Sequence, residues 1–182
     1  VYLYKHEFLE SLLKYDKKQS FGITIESKFT ENFIERLPFI LTDGQRNALD
    51  RVFDSLQSTQ PSRVLIQGDV GCGKTIVAVI ACLNVVRNGY QCLVLVPTEV
   101  LCNQHFKTFT SLFSGIGRVV MLSGKDSSSR KRDIKLELKN GEISILVATH
   151  ALLYDDYDFK NLALVVIDEQ HRFGVKQREQ IT

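Results

Sequence analysis

From residue 62 onward, short apolar runs alternate with longer segments whose apolar residues recur at helical spacing. The short runs predict β-strands over residues 64–66, 93–96, 118–122, 143–148 and 162–167. The longer segments predict helices over residues 74–87, 99–113 and 127–139. Because the strands are apolar without alternation, both faces of their sheet must be covered. The pattern therefore predicts an α/β fold, a parallel β-sheet with helices on both faces.

Residues 1–36 have a different pattern. Helical spacing predicts a helix over residues 4–15, and residues 21–25 have the composition of a short strand. Thr30 is the predicted N-cap of a second short helix, which we expect to end before Pro38. We expect residues 1–36 to be a helical connector to an upstream domain that this chain lacks. Residues 37–182 then form one domain, truncated at its C-terminal end, which suits a chain of 182 residues.

Composition and charge narrow the class of protein without naming a function. A net charge of +2 is too small to indicate a nucleic-acid partner by itself. The apolar runs are shorter than the ~20 residues that cross a bilayer, so we expect no membrane segment. The four cysteines form no C-x-x-C pair, so we expect reduced thiols and no zinc site. They are Cys72, Cys82, Cys92 and Cys102.

The strongest motif follows the first predicted strand and precedes a predicted helix. It fits the pattern G-x-x-x-x-G-K-[ST] and reads Gly68-Asp69-Val70-Gly71-Cys72-Gly73-Lys74-Thr75. Its glycines let backbone N–H groups turn toward phosphate oxygens, and the following helix adds its positive N-terminal end. Lys74 would supply charge to the β- and γ-phosphates of ATP, and the Thr75 hydroxyl would ligate Mg²⁺. The sequence thus predicts that this phosphate loop, residues 68–75, binds a nucleotide.

Two acidic residues follow the last predicted strand. Asp168 would hold Mg²⁺ through water, and Glu169 would orient or deprotonate the attacking water. An ordinary buried strand with an acidic turn is the alternative explanation. The phosphate loop upstream favours the catalytic explanation of these two acidic residues. ATP hydrolysis is preferred to simple nucleotide storage, because a second acidic residue beside the metal ligand suits water activation. Lys74, Asp168 and Glu169 are therefore the predicted catalytic residues.

Asp168-Glu169-Gln170-His171 resembles the D-E-x-H box of superfamily 2 helicases. Residues 37–42 with Gln45 resemble that family's adenine-reading motif, so Gln45 would bond the adenine edge while Phe39 or Leu41 packs on its ring. Three further segments resemble its DNA-backbone contacts, and they contain Pro97, Thr98, Ser123, Gly124, Thr149 and His150. The resemblance implies a RecA-like P-loop NTPase fold for residues 37–182, the first of two helicase lobes.

Within that superfamily, the chain is most similar to bacterial helicases that remodel branched DNA, such as stalled replication forks and Holliday junctions, in recombination and repair. The resemblance implies branched and duplex DNA as partners, a second helicase lobe and a wedge domain in the same polypeptide, and a cytoplasmic monomer. A transcription-repair coupling translocase and a non-hydrolysing nucleotide-binding module are the alternatives. We expect this lobe alone to bind ATP weakly without efficient hydrolysis, because arginines of the second lobe complete the active site.

Two histidines resemble a catalytic or metal-binding pair at first sight. His105 and His150 are far apart in the sequence, however, and no partner pattern surrounds either one. We interpret His105 as a polar residue of the helix predicted over residues 99–113. His150 keeps a predicted role at the DNA backbone through the resemblance alone.

Overall fold

The computed structural model describes residues 1–5, 21–60, 62–69, 71–149, 152 and 157–168. Within this part of the chain, helices surround one six-stranded sheet. The strands are β1 (Tyr2–Lys5), β2 (Ser62–Leu65), β3 (Gln91–Val96), β4 (Val119–Leu122), β5 (Ile145–Thr149) and β6 (Leu162–Ile167). The helices are α1 (Ser27–Glu35), α2 (Asp43–Gln57), α3 (Lys74–Arg87), α4 (Glu99–Leu112) and α5 (Ser128–Asn140). None of these helices has the length and apolar character needed to cross a membrane.

The strand order across the sheet is β2-β1-β6-β3-β5-β4. Strands β6, β3, β5 and β4 pair in parallel. Strand β1 lies antiparallel to both β2 and β6, so β2 and β6 run in the same direction. Five strands therefore share one direction, as predicted, and β1 is an antiparallel addition that the apolar pattern did not predict.

The strand register aligns the carboxyl ends of these five strands at one edge of the sheet. Leu65 and Ile167 both lie opposite Tyr2. The same row continues through Leu95, Ala148 and Leu122. Loops that leave these strands consequently emerge side by side, which is where parallel sheets bind ligands.

The apolar strands are buried on both faces because each face has its own core. Along β3, Cys92, Val94 and Val96 belong to one core, while Leu93 and Leu95 belong to the other. The first core contains the buried residues of α2, α3 and α4. The second contains residues of α5 together with Leu152, Tyr157 and Phe159. Helix α3 is buried from Ile76 to Val86, which explains why its sequence is apolar on every side.

The predicted helices and strands from residue 62 onward are all present, and their ends agree within a few residues. Helix α2 is absent from the predicted elements. It begins with a capping box, in which the Thr42 hydroxyl accepts from the Gln45 backbone N–H and the Gln45 side chain accepts from the Thr42 N–H. Its buried residues Leu49, Val52 and Leu56 have helical spacing, but many polar residues separate them.

The structure corrects three predictions for residues 1–36. Tyr4 and Lys5 lie in β1 and not in a helix, and the rest of the predicted helix lies outside the described residues. Residues 21–25 form no strand, although the Ile23 N–H donates to the Leu56 carbonyl. Helix α1 begins at Ser27, so Thr30 is not its N-cap. The Thr30 hydroxyl is buried and donates instead to Asn84 of α3 at 3.0 Å.

Candidate nucleotide-binding site

The phosphate loop leaves the edge of the sheet after β2 and enters α3. A tight turn closes it, because the Cys72 N–H donates to the Asp69 carbonyl at 3.2 Å. Gly71 and Gly73 have φ values of 84° and 79°, in the left-handed region that favours glycine. Gly73 is also the N-cap of α3, so the loop ends at a helix N-terminus, where backbone N–H groups favour an anion. Val70 lies outside the described residues.

Lys74 directs its ammonium group into this loop. Its Nζ donates to the carbonyls of Gly68 and Asp69, each at 2.8 Å, and lies 3.7 Å from Cys72 Sγ. These carbonyl oxygens are acceptors of the kind that phosphate oxygens would replace. Thr75 follows on the first turn of α3 and is partly buried. The loop thus has the cation, the turned backbone and the hydroxyl that the sequence predicted.

Gln45 contacts the phosphate loop directly. Its Nε2 donates to the Cys72 carbonyl at 3.0 Å and lies 3.5 Å from the Gly73 carbonyl. The contact is close, since a Cβ added at Gly73 would lie 2.3 Å from the same nitrogen. Gln45, Gly68 and Lys74 also line one cavity of about 240 Å³. Gln45, the predicted adenine contact, therefore borders the predicted phosphate site and supports the loop.

Phe39 and Leu41 have different surroundings. Leu41 is 4% exposed and belongs to the core that contains α3. Phe39 is 48% exposed and lines an open groove of about 520 Å³, together with Pro38 and Arg46. Of the two predicted adenine contacts, Phe39 has a ring that a ligand can reach, whereas Leu41 supports the segment from below.

Asp168 follows β6 and is fixed at the same edge of the sheet. Its backbone N–H donates to the Leu95 carbonyl at 2.9 Å. Its Oδ2 lies 3.0 Å from Nε2 of His105, which is 8% exposed on α4. His105 lies on a helix, as predicted, but its burial and its contact with Asp168 were not expected from the sequence. No spacing rule could have paired residues 63 positions apart, because the contact depends on how α4 crosses the sheet.

Thr75 and Asp168 offer the kinds of atom that Mg²⁺ prefers, a hydroxyl and a carboxylate. The part of the chain that is described contains no group of three or more His, Cys, Asp and Glu side chains that could hold a metal. In phosphate-binding proteins, one or two carboxylates hold Mg²⁺ together with substrate phosphates and water. The donor set fits Mg²⁺. Glu169, the predicted base, lies outside the described residues.

The predicted DNA contacts lie farther along the same edge. Thr98 caps α4 by accepting from the Leu101 N–H, and Pro97 precedes it. The Glu99 carboxylate accepts hydrogen bonds from Ser123 Oγ at 2.9 Å and from Lys125 Nζ. Gly124 is exposed between these two, and Thr149 ends β5. His150 lies outside the described residues.

An ion pair between Glu99, in the first turn of α4, and Lys125, in the loop after β4, connects these two segments. The hydrogen bonds from Lys125 and Ser123 lower the pKa of the Glu99 carboxyl, and the Glu99 carboxylate raises the pKa of the Lys125 ammonium. Both groups are therefore charged across the neutral range. The ion pair bridges two of the predicted DNA-contacting segments, and nothing in the sequence pattern signalled it.

A sequence model of the DEAD/DEAH box helicase family matches residues 42–182. The chain is also similar to curated proteins named ATP-dependent DNA helicase RecG. It is 42% identical over 180 residues to the RecG of Aquifex aeolicus, which covers 98% of this chain and 23% of that protein. It is 47% identical over 156 residues to the RecG of Thermotoga maritima, which covers 85% and 20% respectively. This chain thus spans roughly a fifth to a quarter of the length of these relatives.

Two solved structures resemble the fold. The structure of RecG bound to a three-way DNA junction matches with a TM-score of 0.79 at 40% identity, over 92% of this chain and 24% of that one. A hypothetical ATP-dependent RNA helicase from Sulfolobus tokodaii matches with a TM-score of 0.53 at 20% identity, over 71% and 35%. The second match supports the fold alone. The predicted RecA-like α/β fold and the predicted resemblance to helicases of branched DNA are confirmed.

Proposed function

The chain belongs to the DEAD/DEAH box helicase family, and from that premise we propose that it is the first ATP-binding lobe of an ATP-dependent DNA helicase of the RecG type. One observation carries the proposal. The register places the ends of β2 and β6 at one level, so the phosphate loop with Lys74 and the carboxylate of Asp168 leave the same edge of the sheet. Nucleotide binding and hydrolysis both need these groups at one edge.

ATP binding would exchange contacts that the loop already makes. The Lys74 ammonium would leave the carbonyls of Gly68 and Asp69 and bind the β- and γ-phosphates. The N–H groups of the loop and of the N-terminus of α3 would donate to the remaining phosphate oxygens. Residues 68–75 would all contribute backbone or side-chain atoms to this cradle. Gln45 would bond the adenine edge while keeping its bond to the Cys72 carbonyl, and the exposed Phe39 would stack on the ring.

Hydrolysis would use Thr75 and Asp168 to hold Mg²⁺. When bound, the ion neutralises charge that develops on the transferred phosphate. Asp168 would keep its orientation through its backbone contact to β3. Glu169 follows it directly and would orient the attacking water, accepting its proton.

The activity of the whole protein is part of the same proposal. We propose that Pro97, Thr98, Ser123, Gly124, Thr149 and His150 contact the DNA backbone. Branched DNA is the favoured substrate because the similar RecG structure is bound to a three-way junction. A second helicase lobe and a wedge domain would lie outside the present chain, and a bacterial cytoplasmic monomer is the expected setting. The similarity to RecG proteins favours this proposal over a coupling translocase.

The domain boundary at residue 37 stays a prediction. Leu3, Ile23 and Ile34 are buried in the same core as α3. The described part of residues 1–36 therefore packs against the lobe, even if it also leads toward an upstream domain.

Two substitutions test the assignment. Lys74→Ala removes charge-assisted hydrogen bonds worth about 1.5–3 kcal/mol, so we expect the nucleotide Kd to rise by roughly tenfold or more. In the full-length helicase, Asp168→Asn should leave binding without Mg²⁺ nearly unchanged and lower the ATPase rate at least about 100-fold, through the loss of its metal ligand. Fluorescent-nucleotide titration and phosphate release measure the two effects.

Lys107→Ala is the matched control, because Lys107 is an exposed residue of α4 that belongs neither to the phosphate loop nor to the predicted DNA contacts. It should behave like the parent protein in both assays. Wild-type nucleotide affinity in the Lys74→Ala protein, or wild-type hydrolysis in the Asp168→Asn protein, would refute the proposed function.

A further inference from the structure

The His105 ring is buried between α4 and the sheet, and it has one polar contact within the described residues. Its Nε2 lies 3.0 Å from Oδ2 of Asp168, while the buried Nδ1 has no hydrogen-bond partner in that part of the chain. A carboxylate only accepts hydrogen bonds, so Nε2 carries the proton and donates it. The ring is thus oriented toward a single acceptor, the carboxylate that would hold Mg²⁺.

Packing alone does not explain a histidine at this position. The ring centroid lies 6.5 Å from that of Phe109, one turn along α4, and Cys102 on the same face is also buried. An apolar side chain would fill this space without burying a ring nitrogen that lacks a partner, which costs stability. The contact with Asp168 is what distinguishes histidine from leucine or phenylalanine here.

Helix α4 extends from this contact to the predicted DNA edge. Thr98 caps its N-terminus, and Glu99 in its first turn bonds Ser123 and Lys125 of the next loop. His105 lies six residues beyond Glu99, about 9 Å along the helix axis. A displacement of the helix at the DNA edge would therefore reach the Asp168 carboxylate through one rigid element.

We propose that His105 is a positioning residue, which orients the Asp168 carboxylate toward Mg²⁺ and links it through α4 to the loops that contact DNA. The inference rests on the proposed function and adds a residue and a route to it. Hydrogen bonds from an outer group to a metal-binding carboxylate typically affect metal affinity by about 10- to 100-fold. His105 would act in this way, without touching nucleotide or DNA.

Three substitutions separate positioning from packing. Glutamine places its amide nitrogen near the position of His Nε2, whereas the shorter asparagine cannot reach it, and leucine fills volume without a donor. The variants His105→Gln, His105→Asn and His105→Leu are made in the full-length helicase, with Thr110→Ala as an exposed control on α4. The readouts are nucleotide Kd with and without Mg²⁺, the Mg²⁺ concentration for half-maximal ATPase, and the stimulation of ATPase by a three-way junction.

We expect His105→Asn and His105→Leu to bind nucleotide without Mg²⁺ as the parent does. The Mg²⁺ concentration for half-maximal ATPase should rise about tenfold or more in both, and the junction should stimulate ATPase less. His105→Gln should recover the parent's Mg²⁺ dependence and stimulation to within about threefold. Thermal melting identifies a variant that fails to fold, and the Gln and Asn pair still decides the question if the Leu variant does so.

Parent-like Mg²⁺ dependence in the Asn variant, or equal losses in the Gln and Asn variants, would overturn the inference. Asp168→Asn is assayed beside them. If it abolishes ATPase while the His105 variants behave like the parent, only the role of His105 fails. If Asp168→Asn also retains full ATPase, the proposed function itself fails.

Discussion

The backbone carbonyls of the phosphate loop are divided between two side chains. Lys74 takes those of Gly68 and Asp69, and Gln45 takes that of Cys72. Only the Lys74 contacts compete with a phosphate, because the phosphate oxygens and these carbonyl oxygens would both accept hydrogen bonds from the same ammonium group. Gln45 can hold its carbonyl in both situations, so the loop keeps one brace to α2 while its centre exchanges partners.

Cys72 gives a chemical test of this loop. It is exposed, while Cys82, Cys92 and Cys102 are buried. Burial raises the pKa of the Cys102 thiol to about 11 and that of Cys92 well above its ordinary value, so neither forms a reactive thiolate at neutral pH. We expect N-ethylmaleimide to label Cys72 alone in the native protein. Because Cys72 Sγ lies 3.7 Å from Lys74 Nζ, the adduct should weaken nucleotide binding roughly tenfold or more.

Mass spectrometry locates the label, and fluorescent-nucleotide titration measures the affinity. A Cys72→Ser protein treated in the same way should bind nucleotide as before treatment. ATP added before the reagent should slow the labelling. Full nucleotide affinity in a protein labelled at Cys72 would show that this side chain is not beside the phosphate site.

Helices and strands were predictable from the sequence where apolar runs, capping residues or glycine turns mark their position. The bounds of α3 and β6 are as predicted, because both are apolar and α3 follows a glycine-rich turn. Helix α5 has a Ser127 N-cap and a left-handed Gly141 at its end. Helix α2 was missed although Thr42 and Gln45 form a capping box. Strand β1 carries no local signal that could show its pairing with β2 and β6.

The contact between α1 and α3 predicts that α1 contributes to the stability of the lobe. Thr30 and Asn84 are both buried, and the Thr30 hydroxyl donates to Asn84 Oδ1. Thr30→Val leaves that amide oxygen without this donor, so we expect the free energy of unfolding to fall by about 1–3 kcal/mol. Chemical denaturation monitored by circular dichroism measures the change.

Thr108→Val provides the matched control, because the Thr108 hydroxyl also donates a hydrogen bond, to the Gln104 carbonyl at 3.1 Å, but this bond is exposed. Its effect should stay within about 0.5 kcal/mol. Equal effects of the two substitutions would mean that α1 is an appendage whose contact with α3 does not stabilise the lobe.

At the scale of the molecule, the shared edge of the sheet orders the chemistry. From β2 to β4 it presents the phosphate loop, Asp168, the loop after β3 with Pro97, the end of β5 with Thr149, and the loop with Ser123. The rule for parallel sheets predicts that these groups share an edge. Their order depends on strand pairing, which is not readable from the sequence. The contact of His105 with Asp168 depends on it as well.

This arrangement also sets what one lobe can do by itself. The described residues would provide the proposed groups for nucleotide phosphates, adenine and Mg²⁺, but the arginines that would stabilise the transition state belong to the proposed second lobe. We expect the 182-residue chain, expressed alone, to bind ATP analogues and to hydrolyse ATP at least about 10³-fold more slowly than the longer helicase with branched DNA. Lys74→Ala in the isolated chain, which should lose the binding, is the control. Although the predicted DNA contacts are present in this chain, a junction should not rescue its hydrolysis, because DNA does not supply the missing arginines. Rapid DNA-stimulated turnover by the isolated chain would mean that one lobe holds a complete active site.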